Sequence, residues 1–149
     1  MRPIAVTMGD PAGIGPEVVL RACADPALVG IPVVAVASRA LLVRVAQRLG
    51  LPLPAHIIEP DLGGFDADAV IPGTIAAAHG AAAGACIECA ITGCLDGRFA
   101  AIATAPIHKQ AIKAAGIPFP GHTEWLAART GVSEETMMLY HPDITVALV

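Results

Sequence analysis

Aromatic side chains make up only 3% of this chain, too few to form stacking platforms for single-stranded bases. Charge is sparse too, at 15% of residues with a net of −4, and no Lys/Arg cluster occurs. Nucleic-acid binding depends on neutralising phosphates with such clusters, so no nucleic acid is expected as a partner. The opening residues, MRPIAVTMGD, lack the apolar stretch and small-residue cleavage site of a secretory leader. The nearest thing to a membrane span is residues 70–87, which carry no formal charge. That stretch contains Pro72, Gly73, Gly80 and Gly84 and owes its apolarity mostly to Ala. It reads as a loop running into a buried helix, and no membrane is expected as a partner.

What the 149 residues do contain is apolar: 55% are hydrophobic, more than an ordinary soluble domain carries. That excess suits buried strands and close-packed helices, and also surface buried against a second domain or subunit. Cys86, Cys89 and Cys94 form C-x2-C-x4-C, a spacing that invites a metal. However, they sit in an apolar helical stretch with no fourth Cys nearby, and His79 has no standard ligand spacing to them. They read as small hydrophobes. Nothing suggests an exported, disulfide-stapled class, and a reducing cytoplasm is the expected compartment.

Strand and helix patterns alternate. Short apolar runs at 3–8, 32–37, 55–58 and 99–104 read as strands, and 16–24, 39–49, 74–95, 108–115 and 122–130 as helices, the third open to interruption at its glycines. Ser38 caps the second helix and Gly50 ends it; Gly116 and Gly131 end the last two. Residues 59–73, rich in Gly, Pro and Asp, read as a loop. Residues 136–140 and 144–149 read as strands around a turn at His141-Pro142-Asp143, close enough to pair antiparallel. Alternation of this kind implies an α/β fold with a mostly parallel sheet, right-handed crossovers and helices on both faces. The chain stops inside an apolar strand with no polar tail, the expected look of a fragment.

Three segments carry candidate chemistry. The first, Thr7-Met8-Gly9-Asp10-Pro11-Ala12-Gly13-Ile14-Gly15-Pro16-Glu17, joins a strand to a helix. Its glycines permit positive φ or close approach of a ligand, and it lies where α/β sheets bind ligands, beyond a strand's carboxyl end. It is neither G-x-G-x-x-G nor a Walker loop. A tight turn with Asp10 capping local amides explains it equally well. The second, Thr104-Ala105-Pro106-Ile107-His108-Lys109, brings a hydroxyl, an imidazole and an ammonium to the same edge. Lys109 offers phosphate a point charge or is simply solvated. The third, Gly116-Ile117-Pro118-Phe119-Pro120-Gly121-His122-Thr123-Glu124-Trp125, sets His122 and Thr123 among the free amides of a helix start, a good place for an anion or polar substrate. Glu124 serves equally as a cap, and Trp125 reads as core.

Together, in order and spacing, these segments closely resemble the 4-hydroxythreonine-4-phosphate dehydrogenase family across essentially the whole chain. They are more distantly similar to the isocitrate and isopropylmalate dehydrogenases, which carry a related G-D-x-x-G-P-E turn. The resemblance implies a three-layer α/β/α fold of that type, incomplete here. Residues 1–118 would form most of a first α/β domain, and 119–149 the start of a second, substrate- and metal-binding domain. It implies a homodimer with sites shared between subunits, NAD or NADP as cofactor, and a divalent metal such as zinc, magnesium or cobalt in the full-length enzyme. The implied reaction oxidises and decarboxylates 4-phosphooxy-L-threonine, a small phosphorylated substrate, in pyridoxal phosphate (vitamin B6) synthesis. His122 and Thr123 fall on the family's substrate-binding His-Thr pair. Gly9 and Asp10 fall on its first turn and are expected to shape the cleft, with Lys109 a candidate phosphate contact; no catalytic residue is assigned.

Family chains run to roughly twice this length, and the family's three metal-binding histidines lie in the half this chain lacks. His56, His79, His108 and His141 are not candidates to replace them, and no metal ligand is assigned. The expectation for the chain alone is little or no activity. The alternatives are a paralogue acting on another phosphorylated hydroxy acid or on a dihydrodiol, and a non-catalytic binding remnant.

Overall fold

The computed structural model describes residues 1–148; Val149, the end of the last expected strand, lies outside them. Contacts divide the chain into two compact units, Met1–Pro118 and Phe119–Val149.

The first unit is built on four short parallel strands: β1 (Ile4–Thr7), β2 (Val33–Val36), β3 (Ile57–Ile58) and β4 (Ala101–Thr104), lying side by side as β3-β2-β1-β4. α1 (Gly15–Cys23) connects β1 to β2, and α2 (Arg39–Leu49) connects β2 to β3. The chain then crosses back through α3 (Ala77–Leu95) to place β4 on the other side of β1, followed by α4 (Lys109–Ala114). Right-handed crossovers put α1 and α2 on one face and α3 on the other. The packing agrees, with α1 against α2 and β2, and α3 against β1, β2, β4 and α4. This is the expected α/β/α layering.

Local chemistry explains the boundaries. The Ser38 hydroxyl accepts from the Leu41 amide and opens α2, while Gly50 closes it at φ +64°. Pro16 occupies the first turn of α1, where a missing N–H costs nothing. A 3-10 turn at Pro26–Leu28, capped by Asp25, was not anticipated. Nor was the shrinkage of the third strand from 55–58 to Ile57–Ile58.

α3 is long and apolar enough to cross a membrane by composition and length, but most of it is buried within the unit. It runs unbroken through its glycines, two of which serve packing. A Cβ on Gly80 would overlap the Ala111 backbone of α4, and one on Gly93 the Phe99 ring. The core gathers Ala5, Val19, Leu20, Val34, Ala35, Val36, Leu41, Leu42 and Cys86, among others, between the layers. β4 is an edge strand with Ala101, Ala103 and Thr104 exposed.

The second unit contains α5 (His122–Thr130) and an antiparallel pair, β5 (Met137–His141) and β6 (Ile144–Leu148). Gly131 ends α5 at φ +73°. His141 pairs with Ile144, so the turn narrows from three residues to Pro142-Asp143. Trp125 is buried and stacks on Phe119, ring centroids 5.1 Å apart.

Candidate functional site

The strand order reverses between β1 and β4, since β2 follows on one side of β1 and β4 on the other. At such a switch point open α/β sheets commonly bind ligands beyond the strands' carboxyl ends, beside the loops that follow the two strands. The loops here are the first two sequence motifs, so residues almost a hundred positions apart are brought together. Thr7 pairs in register with Thr104. Past them, the Ala105 amide donates to the Thr7 carbonyl at 3.2 Å, and the Asp10 amide to the Pro106 carbonyl at 2.8 Å.

Gly9 makes this seam possible. Its φ of +66° disfavours a side chain, and a Cβ would drive into the Pro106 carbonyl oxygen. Gly15 is similarly pressed against the Met8 carbonyl. Asp10 is 9% exposed, and its carboxylate accepts from the Ala12 amide at 3.1 Å, closing the turn on itself. Asp10 therefore does what a purely structural turn asks of it. On the facing loop, Thr104, Pro106 and Lys109 are exposed and His108 is half-buried. His108 is the residue before α4, and Lys109 begins that helix. Two polar atoms at this edge are buried without a partner, the Thr7 hydroxyl and His108 Nδ1.

His122 and Thr123 belong to the second unit, as the first two residues of α5. Gly121 precedes them in an extended conformation and supplies no side-chain cap. His122 is half-buried, with Nε2 buried and unpartnered. Burial pushes its pKa down and favours the neutral ring.

Cys86, Cys89 and Cys94 lie on α3, with Cys86 fully buried and Cys89 and Cys94 half-buried. Burial, with a smaller contribution from Cys89, pushes the Cys86 thiol up to about 12, which suits a packed hydrophobe rather than a ligand. Among the described residues no three His, Cys, Asp or Glu side chains converge to hold a metal. The donors of this chain therefore do not fit a catalytic metal centre.

Arg44 and His79 also contribute to this edge, though neither stands in a motif that marks such a role. Arg44 stands on α2 and donates to the carbonyls of Ala67, Asp68 and Val70. His79 Nδ1 lies 3.2 Å from the Thr74 carbonyl. Their partners are backbone carbonyls, which leave no residue pattern. Only a cation at position 44, between buried Leu41 and Val45, hinted at a specific role.

The family model described as pyridoxal phosphate biosynthetic protein PdxA matches residues 28–149. The chain is 44% identical to a 4-hydroxythreonine-4-phosphate dehydrogenase of Chromobacterium violaceum, the match covering 99% of this chain and 48% of that protein. A Bradyrhizobium diazoefficiens protein provisionally named D-threonate 4-phosphate dehydrogenase is 38% identical, covering 99% of this chain and 47% of its own length. A crystal structure of 4-hydroxythreonine-4-phosphate dehydrogenase from Klebsiella pneumoniae matches with TM-score 0.87 at 39% identity, over 98% of this chain and 49% of that one. The chain spans about half the length of the curated relatives it matches.

Proposed function

The chain belongs to the PdxA family, and on that premise we propose that it is the substrate-contacting amino-terminal part of an NAD- or NADP-dependent 4-hydroxythreonine-4-phosphate dehydrogenase. The observation that carries this reading is identity of 44% sustained over 99% of the chain, with the two motif loops hydrogen-bonded together beyond the carboxyl ends of β1 and β4. The reaction removes hydride from the secondary alcohol of 4-phosphooxy-L-threonine and passes it to the nicotinamide, while the hydroxyl proton is released. The resulting β-keto acid then breaks its bond to the carboxylate carbon and loses carbon dioxide, and the enolate left behind takes up a proton at that α-carbon to give an amino-ketone phosphate.

The roles of this chain's residues follow from their chemistry. Neutral His122 donates a hydrogen bond to a substrate oxygen, and the Thr123 hydroxyl donates or accepts beside it. Gly9 and Asp10 shape the rim of the cleft, and Lys109 gives the phosphate a point charge. Residues 1–118 form most of a first domain and 119–149 begin a second. A divalent metal and a homodimer belong, on this reading, to the longer protein, and its compartment is the cytoplasm.

The 1–149 chain, given 4-phosphooxy-L-threonine, NAD or NADP and a divalent metal, is expected to form essentially no NADH or NADPH. The gene's open frame past codon 149, expressed whole, is expected to form both reduced cofactor and carbon dioxide. Turnover by the short chain at the rate of an intact enzyme would overturn the fragment reading, and an inactive long product would overturn the substrate assignment. Similarity to the D-threonate 4-phosphate dehydrogenase relative makes that phosphorylated hydroxy acid the second substrate to test side by side.

A further inference from the structure

Residues 59–76 contain neither helix nor strand, yet they are not loosely held. Ala67 and Val70 are buried in the core cluster of the first unit. Carbonyls drawn toward a core with their residues need donors, and one side chain supplies most of them. Arg44 Nη1 donates to the Ala67 carbonyl at 2.5 Å and the Asp68 carbonyl at 3.0 Å, and Nη2 to the Val70 carbonyl at 2.5 Å. The guanidinium is well placed because α2 is rigid, capped at both ends and buried along Leu41, Leu42, Val45 and Ala46. Further along, the Thr74 hydroxyl donates to the Ile71 carbonyl at 2.6 Å, and His79 on α3 donates through Nδ1 to the Thr74 carbonyl. The segment is thus tied to helices on both faces of the sheet.

Between those two ties the segment touches the Gly-rich turn. The Gly73 amide donates to the Ala12 carbonyl at 2.8 Å. A cavity of about 90 Å³ lies between the turn and the segment, lined by Pro11, Ala12, Gly13, Arg44, Val70 and Pro72 among others. Side-chain packing there is incomplete, and the Gly73–Ala12 bond carries the link. On the turn's other side, Asp10 is bonded to Pro106. The turn is therefore held from both sides, by the β4 loop at Asp10 and by the 59–76 segment at Ala12.

We propose that Arg44 is a positioning residue: by gathering three carbonyls of the 59–76 segment, it braces the Gly9–Gly13 turn in the conformation it holds at the carboxyl end of the sheet. The proposal rests on the reading that this turn lines the substrate cleft, and it adds a residue of α2 to the machinery that shapes it. A lysine keeps the charge and much of the stem, but a single ammonium cannot reproduce a planar fork spread over carbonyls on both its nitrogens.

The test is residue-resolved amide hydrogen exchange on the chain with Arg44→Lys and Arg44→Met. Exchange at Gly73 and Gly13 is expected to rise about tenfold in Arg44→Lys and further in Arg44→Met. Val34 and Ala35, at the centre of β2, should keep their protection. An unchanged turn overturns the proposal, and so does a rise of equal size across β1 and β2, which marks a merely structural residue. If Arg44→Met does not fold, Arg44→Lys alone decides. Adding 4-phosphooxy-L-threonine to the unmutated chain separates the two levels. Failure to protect the turn amides counts against the cleft reading, while the mutant comparison, made without ligand, still judges the brace.

Discussion

The two units use similar apolar material to different effect. In Met1–Pro118, a strand such as β2 has Val34, Ala35 and Val36 almost wholly buried, because helices close both faces of the parallel sheet. In Phe119–Val149, every residue of β5 and β6 is exposed, including Met138 at 61%, Leu139 at 57% and Ile144 at 65%. Burial is a property of layers, not of residues. An isolated two-stranded ribbon has no second layer, and is marginal by itself in water. The buried side chains of the second unit lie on α5, where Trp125 and Ala127 are buried and Phe119 stacks on Trp125. Exposed apolar area of this kind marks a surface that binds something or aggregates.

The sharpest way to test that contrast is a matched pair of truncations. Leu20→Ala, in the core of the first unit at 0% exposure, should cost about 3 kcal/mol in denaturant unfolding. Leu139→Ala on the ribbon should change stability by less than about 0.5 kcal/mol. Equal effects would mean that the ribbon is buried in solution. Gly9→Ala comes next. It combines positive φ with overlap onto Pro106, and should cost about 1–3 kcal/mol, with exchange of the Asp10 amide rising as its bond to Pro106 is strained. A neutral result there would mean that the seam between the loops relaxes freely.

The smallest effect concerns pH and the second unit. Burial favours the neutral form of His122, so the unfolded chain takes up a proton more readily than the folded one. The stability linked to His122 is full above its unfolded value of about 6.5, and is lost as pH falls from there through the lowered folded value. Melting curves between pH 7.5 and 5 should show this decline, and His122→Gln should flatten it. An equal decline in both chains would assign the effect to other groups.

Much of the framework was legible from local chemistry. Ser38 and Gly50 bracket α2, and the helix at His122–Thr130 begins and ends where its glycines stand. The misreadings have tertiary causes. The helix expected from residue 74 begins at Ala77, because Thr74 is drawn into a turn with Ile71 and held by His79. Gly80 and Gly84 do not interrupt α3; at Gly80 the α4 backbone occupies the space a side chain would need. The third strand is only Ile57–Ile58, since its pairing with β2 ends there. Arg44 was illegible for another reason. Its partners are carbonyls 23 to 26 residues away, and every residue type carries one.

Taken alone, the sequence determined what depends on neighbours along the chain: the period of apolar residues, the caps and glycine stops, the alternation of strand with helix, and the motifs that carry the family likeness. Only the tertiary structure decided the order β3-β2-β1-β4, which lays the Thr7–Pro16 turn against the Thr104–Lys109 loop. It also decided that Gly9 is required by the Pro106 carbonyl and that Arg44 reaches the 59–76 segment. The physical reason is range. Capping and periodicity act over one or two helical turns, whereas strand order and the fit of one backbone on another arise only when the layers close.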